Sequence, residues 1–380
     1  MGKKYCKIKI KDYPATLFKI FSVLTIVPAI MILHNRCSEL YDPLLDVPEN
    51  ILVVEGLITD APGPHYVKLF RSAPFNQQQN QLPLQNAVVQ VEDNAGHIEI
   101  FNEVTPGNYQ SSQGFRGIPE RKYTLKIITP DGEEYHSRSQ LLIPVTRRID
   151  SLTGKYVDDK IIETPTNEGE VIIEYIEAIE VFGDVWNIPG TFPRMRFEVD
   201  VMIQYWMMEE QRGPDNPDPP VFFCRIRNRT GDYPNITKAR EHNVSRDIVN
   251  HNFGHIPKEK KYYQGTRSFG YIDRRIIIID QYSLNEESYN YYRNLEKLIN
   301  AEGRLFDPVA VRLDGNVYSP DDETKIALGF FEVSGKASST FAMNPEPFRK
   351  TNIVFEKIHD LDHLPRHECS WEIIPPLWVY

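Results

Sequence analysis

The chain has 380 residues, with 43 Lys and Arg against 53 Asp and Glu, and a net charge of −10. Its 41% hydrophobic and 25% charged residues are typical of globular proteins and exclude a disordered chain or one built mainly of membrane helices. The acidic balance excludes a nucleic-acid partner, because binding phosphates requires clustered Lys and Arg. A chain of this length is expected to form two or three domains.

The first 36 residues have the features of an export signal. They carry seven basic residues and one acidic residue, so their removal leaves a net charge of −16. After the lysine-rich start, residues 20–33 contain no charge. This run is shorter than the roughly 20 residues of a membrane span but fits the apolar region of a secretory signal. We therefore predict a signal peptide over residues 1–36.

Cys37 directly follows this signal, and we predict that it carries the lipid anchor of a bacterial lipoprotein, with residues 37–48 as a linker. The usual lipobox has Leu and then two small residues before the cysteine, whereas His34, Asn35 and Arg36 stand here. An uncleaved signal anchor and simple secretion therefore stay open as alternatives. Acyl chains such as palmitate would hold the protein on a membrane, because each buried CH₂ contributes about 0.8 kcal/mol.

Two cysteines remain in the body of the protein once the signal and its end are set aside. They are Cys224 and Cys369, and in an oxidising envelope they are predicted to form a disulfide. The alternative is two unrelated buried thiols. A zinc site would need two more ligands and is not favoured.

Residues 49–145 alternate short apolar runs with turn signals and show no helical period. Ala87, Val89 and Val91 share one face of a predicted strand. The other apolar runs lie at 51–58, 66–70, 98–101 and 123–127, and the turns at 60–64, 93–96, 106–107 and 130–132. About seven strands in about 100 residues predict an antiparallel, immunoglobulin-like β-sandwich.

Residues 146–380 are predicted to form a second, larger β-rich domain, so the protein is mainly β. Residues 196–205 alternate strictly, which predicts a strand with Phe197, Val199, Val201, Ile203 and Tyr205 on one face and its other face in water. The run 276–279 is apolar on both faces and predicts a central strand.

One amphipathic helix is predicted at about residues 284–301. Ser283 and Glu286 have the spacing of a capping box, and Gly303 follows the end of the apolar stripe. The stripe consists of Leu284, Tyr291, Tyr292, Leu295, Leu298 and Ile299. Such a stripe favours core packing over a partner surface.

The sequence contains no signature of catalysis, phosphate binding or dinucleotide binding, so we expect a protein that is not an enzyme and needs no cofactor. His359, His363 and His367 are the best candidates for metal ligands, but Pro365 interrupts any element that would orient them. A solvated polar loop is the favoured interpretation. A second histidine group, His242, His251 and His255, lies in an Asn-rich, loop-like stretch and is not favoured as a ligand set.

Several segments together resemble the domain-of-unknown-function 4249 family of Bacteroidetes outer-membrane lipoproteins. These segments are Cys37 with the acidic residues after it, ILVVEGLITDAPGPHYVKLFRSAPF (51–75), VEDNAGHIEIFNEVTPGNYQS (91–111), FRGIPERKYTLKIITPDGEEYHS (115–137), DQYSLNEESYNYYRNLEKL (280–298), LFDP (305–308) and GNVYSP (315–320). The resemblance covers essentially the whole chain after the signal and rests on the order and spacing of the segments. It implies a transthyretin-like first domain and no catalytic residues.

The resemblance also implies a role beside TonB-dependent outer-membrane transporters of the starch-utilisation type. We therefore expect a lipid-anchored outer-membrane protein that acts as an accessory of such a barrel. The expectation covers both the periplasmic and the cell-surface side of that membrane. The alternative is an independent surface module that binds glycan or peptide through exposed aromatic rings. The 20 Tyr, 19 Phe and 4 Trp supply enough rings for either function.

Overall fold

The computed structural model describes residues 50–72, 81–165, 171–185, 194–209, 221–238, 248–257, 268–299, 313–322, 325, 327–343 and 353–358. All of them belong to one compact unit, Pro48–Tyr380. The predicted signal peptide, Cys37 and the linker lie outside the described residues. The predicted domain boundary after residue 145 stays a prediction.

The first part of the described chain consists of short strands, as predicted. They are β1 (Leu52–Thr59), β2 (Tyr66–Ser72), β3 (Gln81–Pro83), β4 (Val88–Asp93), β5 (Ile98–Thr105), β6 (Asn108–Gln110), β7 (Lys122–Ile128), β8 (Glu134–Ser137) and β9 (Gln140–Leu141). Turns separate them where the sequence predicted, and Gly96 shows why. Its φ of 85° is a left-handed conformation that glycine adopts without strain. Oδ1 of Asp93 accepts hydrogen bonds from the backbone N–H groups of Ala95 and His97 in the same turn, each at 2.9 Å.

Longer strands and one helix make up the rest. They are β10 (Leu152–Pro165), β11 (Val171–Val185), β12 (Arg194–Glu209), β13 (Val221–Lys238), β14 (Ile248–Pro257), β15 (Ser268–Ser283), α1 (Glu286–Ile299), β16 (Val317–Tyr318), β17 (Leu328–Met343) and β18 (Phe355–Ile358). The described chain is therefore mainly β, as the sequence predicted.

Fifteen strands share one continuous sheet. Its main path runs β13-β12-β15-β17-β1-β2-β6-β5-β4-β7-β8-β16, while β18, β3 and β9 pair beside it. Strands β10, β11 and β14 form a separate three-stranded sheet in that order. The run 276–279 lies in β15, between β12 and β17, and all four isoleucines are buried, which confirms the predicted central strand.

One pairing in the large sheet is parallel: β1 pairs with β17, from Val53 opposite Leu328 to Thr59 opposite Ser334. Gly329 makes this approach feasible. A Cβ built on Gly329 would lie 2.1 Å from the carbonyl oxygen of Val54, and its φ of 82° also favours glycine. The sequence did not predict this long-range contact.

Most buried hydrophobic residues belong to two large clusters. The first includes Val54, Val67 and Leu125 from the early strands, and the second includes Phe197, Ile277 and residues of the three-stranded sheet. Strand β17 contributes to both, with Phe331 and Val333 in the first and Phe341 and Met343 in the second. Each fully buried large side chain stabilises the fold by about 1.5–3 kcal/mol relative to an exposed one.

The helix is confirmed, but its predicted cap is wrong. The N–H of Ser288 donates to Oδ1 of Asn285 at 2.8 Å, so Asn285 is the capping residue. Ser283 instead ends β15, and its hydroxyl donates to the carbonyl oxygen of Ile143. The helix buries Tyr289 and Tyr292 against the sheet, which fits the predicted core packing.

The predicted wet face of the strand at 196–205 is also wrong. Phe197, Val199 and Val201 are buried as expected, but Arg196 and Asp200 on the opposite face are buried too, at 2% and 8% exposure. Helix α1 packs over this part of the sheet and contacts both β12 and β17. Both faces of β12 are therefore enclosed at this end.

Candidate functional site

The hairpin of β10 and β11 begins inside the protein. Leu152 pairs with Gly183, and both Ile179 and Val181 lie in the second hydrophobic cluster. Strand β11 also pairs with β14, from Ala178 opposite Pro257 to Val185 opposite Ile248. This half of the hairpin is therefore fixed by packing and by a neighbouring strand.

The other half of the hairpin extends beyond the cluster, and we call it the arm. It consists of residues 160–165 paired with residues 171–176, in an antiparallel register from Lys160 opposite Ile176 to Pro165 opposite Val171. Residues 172–175 are four consecutive exposed residues. Because neighbouring side chains of a strand point to opposite faces, both faces of the arm are open here. At about 3.3 Å per residue the arm is roughly 20 Å long.

The apolar face of the arm is the one that carries Ile161, Ile173 and Tyr175; it also includes Glu163, which lies opposite Ile173. Ile161 lies directly opposite Tyr175, and Ile173 is on the same face of β11 as Tyr175. Their exposed fractions are 50%, 70% and 55%, and Ile172 on the other face is 51% exposed. Tyr175 is the most exposed large hydrophobic residue of the described chain. Clustered apolar exposure of this kind is typical of an interaction surface.

The hairpin that carries the arm is acidic. Strands β10 and β11 together carry seven Asp and Glu residues and two Lys residues, a net charge of −5. Asp158 and Asp159 lie at an irregularity of the pairing between Val157 and Lys160, and both are exposed. Charges and a bulge on a strand discourage unspecific pairing at its edge.

A second exposed apolar surface lies on strands β4, β5 and β7, in the region predicted to form a sandwich, and we call it the sandwich patch. It consists of Val88, Ile98, Ile100 and Ile128, which are between 45% and 59% exposed. Val88 and Ile128 are opposite each other on β4 and β7. The nearby Lys126 and Glu92 form an ion pair at 2.6 Å. The patch offers a comparison surface of the same apolar character as the arm.

A buried ion pair lies on the face of the sheet beneath α1. Nη2 of Arg196 on β12 is 3.1 Å from Oε2 of Glu332 on β17, while its Nη1 donates to Oε1 of Glu198 at 2.6 Å. The side chains of Arg196 and Glu332 expose only 3% and 2% of their surface. Charges removed from water in this way require partners, and these charges provide them for each other.

Two tyrosine rings enclose the Arg196 guanidinium, Tyr282 at 4.1 Å and Tyr292 at 5.1 Å from it. Glu332 also accepts hydrogen bonds from the hydroxyls of Tyr292 at 2.5 Å and Ser334 at 2.7 Å. Burial acts to lower the pKa of Arg196, but the charge of Glu332 and its neighbours raises that pKa well above the ordinary value. The guanidinium therefore stays charged and ties α1 to the sheet through Tyr292.

This network is closed to a ligand, since Arg196 and Glu332 are almost completely covered. It is therefore a structural centre, and the accessible candidate site is the arm. Sequence reasoning missed both features. Alternating charges at Arg196, Glu198 and Asp200 look the same whether the strand face is wet or covered, and no sequence signal marks where the arm leaves the core.

The predicted site residues lie mostly outside the described chain. Cys37, His359, His363, His367 and Cys369 are all outside it. The backbone of the other cysteine, Cys224, lies in β13 and pairs with Tyr205. The lipid anchor, the Cys224–Cys369 disulfide and the absence of a metal at the three histidines stay predictions.

The second histidine group is partly described. His251 and His255 belong to β14, which corrects the expectation of a loop, while His242 lies outside the described residues. The His251 ring is 5.0 Å from Phe197 and 5.1 Å from Phe253, and burial lowers its pKa to about 4. The described residues contain no group of three or more His, Cys, Asp or Glu that could hold a metal ion.

The described part of the chain also contains no helix with the length and apolar composition needed to cross a bilayer. What it does contain defines a mainly β protein with a 15-stranded sheet, a separate three-stranded sheet and an exposed β-hairpin arm.

Comparison with protein families places the chain more specifically. The model of the family described as a domain of unknown function (DUF4249) matches residues 38–340, and the chain belongs to this family. No curated protein matches it.

Proposed function

We propose that the protein is a non-enzymatic, lipid-anchored outer-membrane protein that serves as an accessory of a TonB-dependent transporter of the starch-utilisation type. The observation that carries the proposal is the arm, which exposes Ile161, Ile173 and Tyr175 on one face. An isolated two-stranded hairpin is marginally stable in water, so an extended arm of this kind is suited to packing against another protein.

The sequence supports the membrane location in this proposal. The lysine-rich, apolar N-terminus followed by Cys37 fits export and lipidation, and the remaining chain carries a charge of −16. A protein of that charge stays soluble at the membrane surface and favours a partner with basic loops. Membership of the DUF4249 family is consistent with the proposal and assigns no activity.

A role in binding rather than catalysis is supported by the chemistry of the buried network. The two Nη atoms of Arg196 are engaged by the carboxylates of Glu198 and Glu332. The account also predicts no stoichiometric metal at His359, His363 and His367. Elemental analysis that finds zinc, lost on substitution of these histidines, would contradict it.

The experiment that tests the proposal is affinity purification of the tagged protein from detergent-solubilised outer membranes. We expect a β-barrel transporter to co-purify with it, and we expect uptake through that transporter to fall when the gene is deleted. The Cys37→Ala variant, which lacks the predicted lipid-attachment residue, serves as the control for membrane placement. A wild-type protein that purifies alone, with unchanged uptake in the deletion strain, would contradict the proposal.

The second candidate function is an independent surface module for glycan or peptide. The 70% exposed ring of Tyr175 favours it, because an open aromatic face stacks on sugar rings and apolar side chains. A glycan array distinguishes the two functions: retention of a glycan by a protein that captures no barrel would support the binding module.

A further inference from the structure

We propose that the arm is the docking element of this protein and that it fits a protein surface presenting an apolar strip flanked by Lys and Arg. This inference rests on the proposed function and assigns it a place on the molecule. Its basis is the combination of an open apolar face and a net negative charge on the same hairpin.

The arm is open along β11. Residues 172–175 are exposed without interruption, so neither face of β11 is covered by the described chain at this point. Toward the other end of β11, Ala178 and Ile179 are buried almost completely. The same strand is thus core at one end and open at the other. A rigid base with an open end presents its side chains to a partner with little loss of conformational entropy.

The same hairpin is acidic. The two strands carry a net charge of −5; Asp158 and Asp159 are exposed where the arm begins, and Glu174 is exposed on the face opposite Ile173 and Tyr175. Lys160 is engaged by Glu180 at 3.2 Å, which leaves the carboxylates in excess. Complementary charge on the partner would steer association and fix its orientation.

Charge also separates this partner from two other occupants. An anionic lipid surface would repel a hairpin of net charge −5. A second copy of the hairpin carries the same charge of −5, so pairing of two hairpins would place like charges together. A basic and apolar protein surface satisfies both properties of the arm.

The test compares three variants in the co-purification experiment from solubilised outer membranes. The arm variant Ile173→Ser with Tyr175→Ser removes two of the three large apolar side chains of this face and leaves Ile161. The matched control is Ile98→Ser with Ile100→Ser, which removes two side chains of 48% and 59% exposure from the sandwich patch. The charge variant Asp158→Lys with Asp159→Lys reverses two exposed carboxylates and leaves the apolar face intact.

We expect the arm variant to capture at least tenfold less barrel protein than wild type and the control to capture the same amount. We expect the charge variant to capture severalfold less, and its binding to depend less on salt than that of wild type, because screening acts on the exposed charges. Thermal unfolding and circular dichroism of each variant check that the fold is kept.

Two results would overturn the inference while leaving the proposed function intact. One is wild-type capture by both the arm variant and the charge variant. The other is loss of capture in the control alone, which would place docking on the sandwich patch. If wild type captures no barrel at all, the proposed function fails and the inference fails with it. Capture of only a second copy of this chain would overturn the stated class of partner.

Discussion

Arg196 and Glu332 form an ion pair of 3.1 Å although 136 residues separate them in the chain. The pair reaches from β12 to β17 across the intervening β15, where the Tyr282 ring packs against the guanidinium. Since Tyr292 of α1 donates to the same carboxylate, one buried contact links three strands and the helix. This contact therefore holds β12, β15, β17 and α1 together on the helix-covered face of the large sheet.

We predict that Arg196→Met destabilises the protein by about 3–5 kcal/mol, because it leaves the carboxylate of Glu332 buried without its opposite charge. Adding Glu332→Gln should recover part of this loss. The matched control is Lys68→Met, since Lys68 pairs with Glu55 in the open at 57% and 56% exposure and such pairs contribute about 0–1 kcal/mol. Urea unfolding measures the free energy of unfolding of the single Arg196 variant, the double variant and the Lys68 variant. Equal losses in the Arg196 and Lys68 variants would show that the buried pair has no special role.

We predict that the protein loses stability as the pH falls from about 6.5 to about 4. Burial lowers the pKa of His251 to about 4, so the unfolded chain binds this proton more readily than the folded one. The stabilisation that comes from keeping His251 neutral is fully present above the pKa of the unfolded chain and is lost on acidification. The loss lowers the free energy of unfolding by up to roughly 3 kcal/mol. His251→Phe keeps an aromatic ring beside Phe197 and Phe253 and should show a smaller drop between pH 7 and pH 4.5. An identical drop in both proteins would refute the assignment.

We predict that Cys37 is the acylated residue of the mature protein. Growth with an alkyne fatty acid should label wild type and Cys6→Ala, because Cys6 lies in the predicted signal peptide, but not Cys37→Ala. Labelling of Cys37→Ala at the wild-type level would contradict a lipid anchor at Cys37. An uncleaved signal anchor or simple secretion would then be favoured.

We predict a disulfide between Cys224 and Cys369 in protein exported to an oxidising envelope. The bond would close a loop of 145 residues and stabilise the fold by roughly 5 kcal/mol on the chain-entropy model. Unfolded, unreduced protein should show no reactive thiol from this pair, and two after reduction. Two reactive thiols before reduction would support the alternative of separate buried cysteines.

The sequence predicted the features that depend on neighbouring residues. Alternation located the strands around Val89 and Phe197, and turn residues such as Gly96 located their ends, because both are local properties of the chain. Helix α1 was predicted for the same reason. Its capping residue was not, because Asn285 and Ser283 are both good capping residues and only the structure shows that Ser283 belongs to β15.

The features that depend on distant residues were not predictable in this way. The parallel pairing of β1 with β17 joins segments about 270 residues apart, and it requires Gly329 at one place that no local pattern marks. The covered face of β12 depends on α1, almost 90 residues later. The arm is distinguished from the rest of its hairpin only by where the core ends, so Ile173 and Ile179 look equivalent in the sequence.

The most direct test of the account is a photo-crosslinking amino acid placed at position 175 in living cells, with position 100 of the sandwich patch as the control. Both sites are exposed, at 70% and 59%, so an uninvolved surface should behave alike at each. The account predicts a crosslink from position 175 to an outer-membrane barrel, identified by mass spectrometry, and none from position 100. Crosslinks to that barrel from position 100 alone, or none to another protein from position 175, would contradict it.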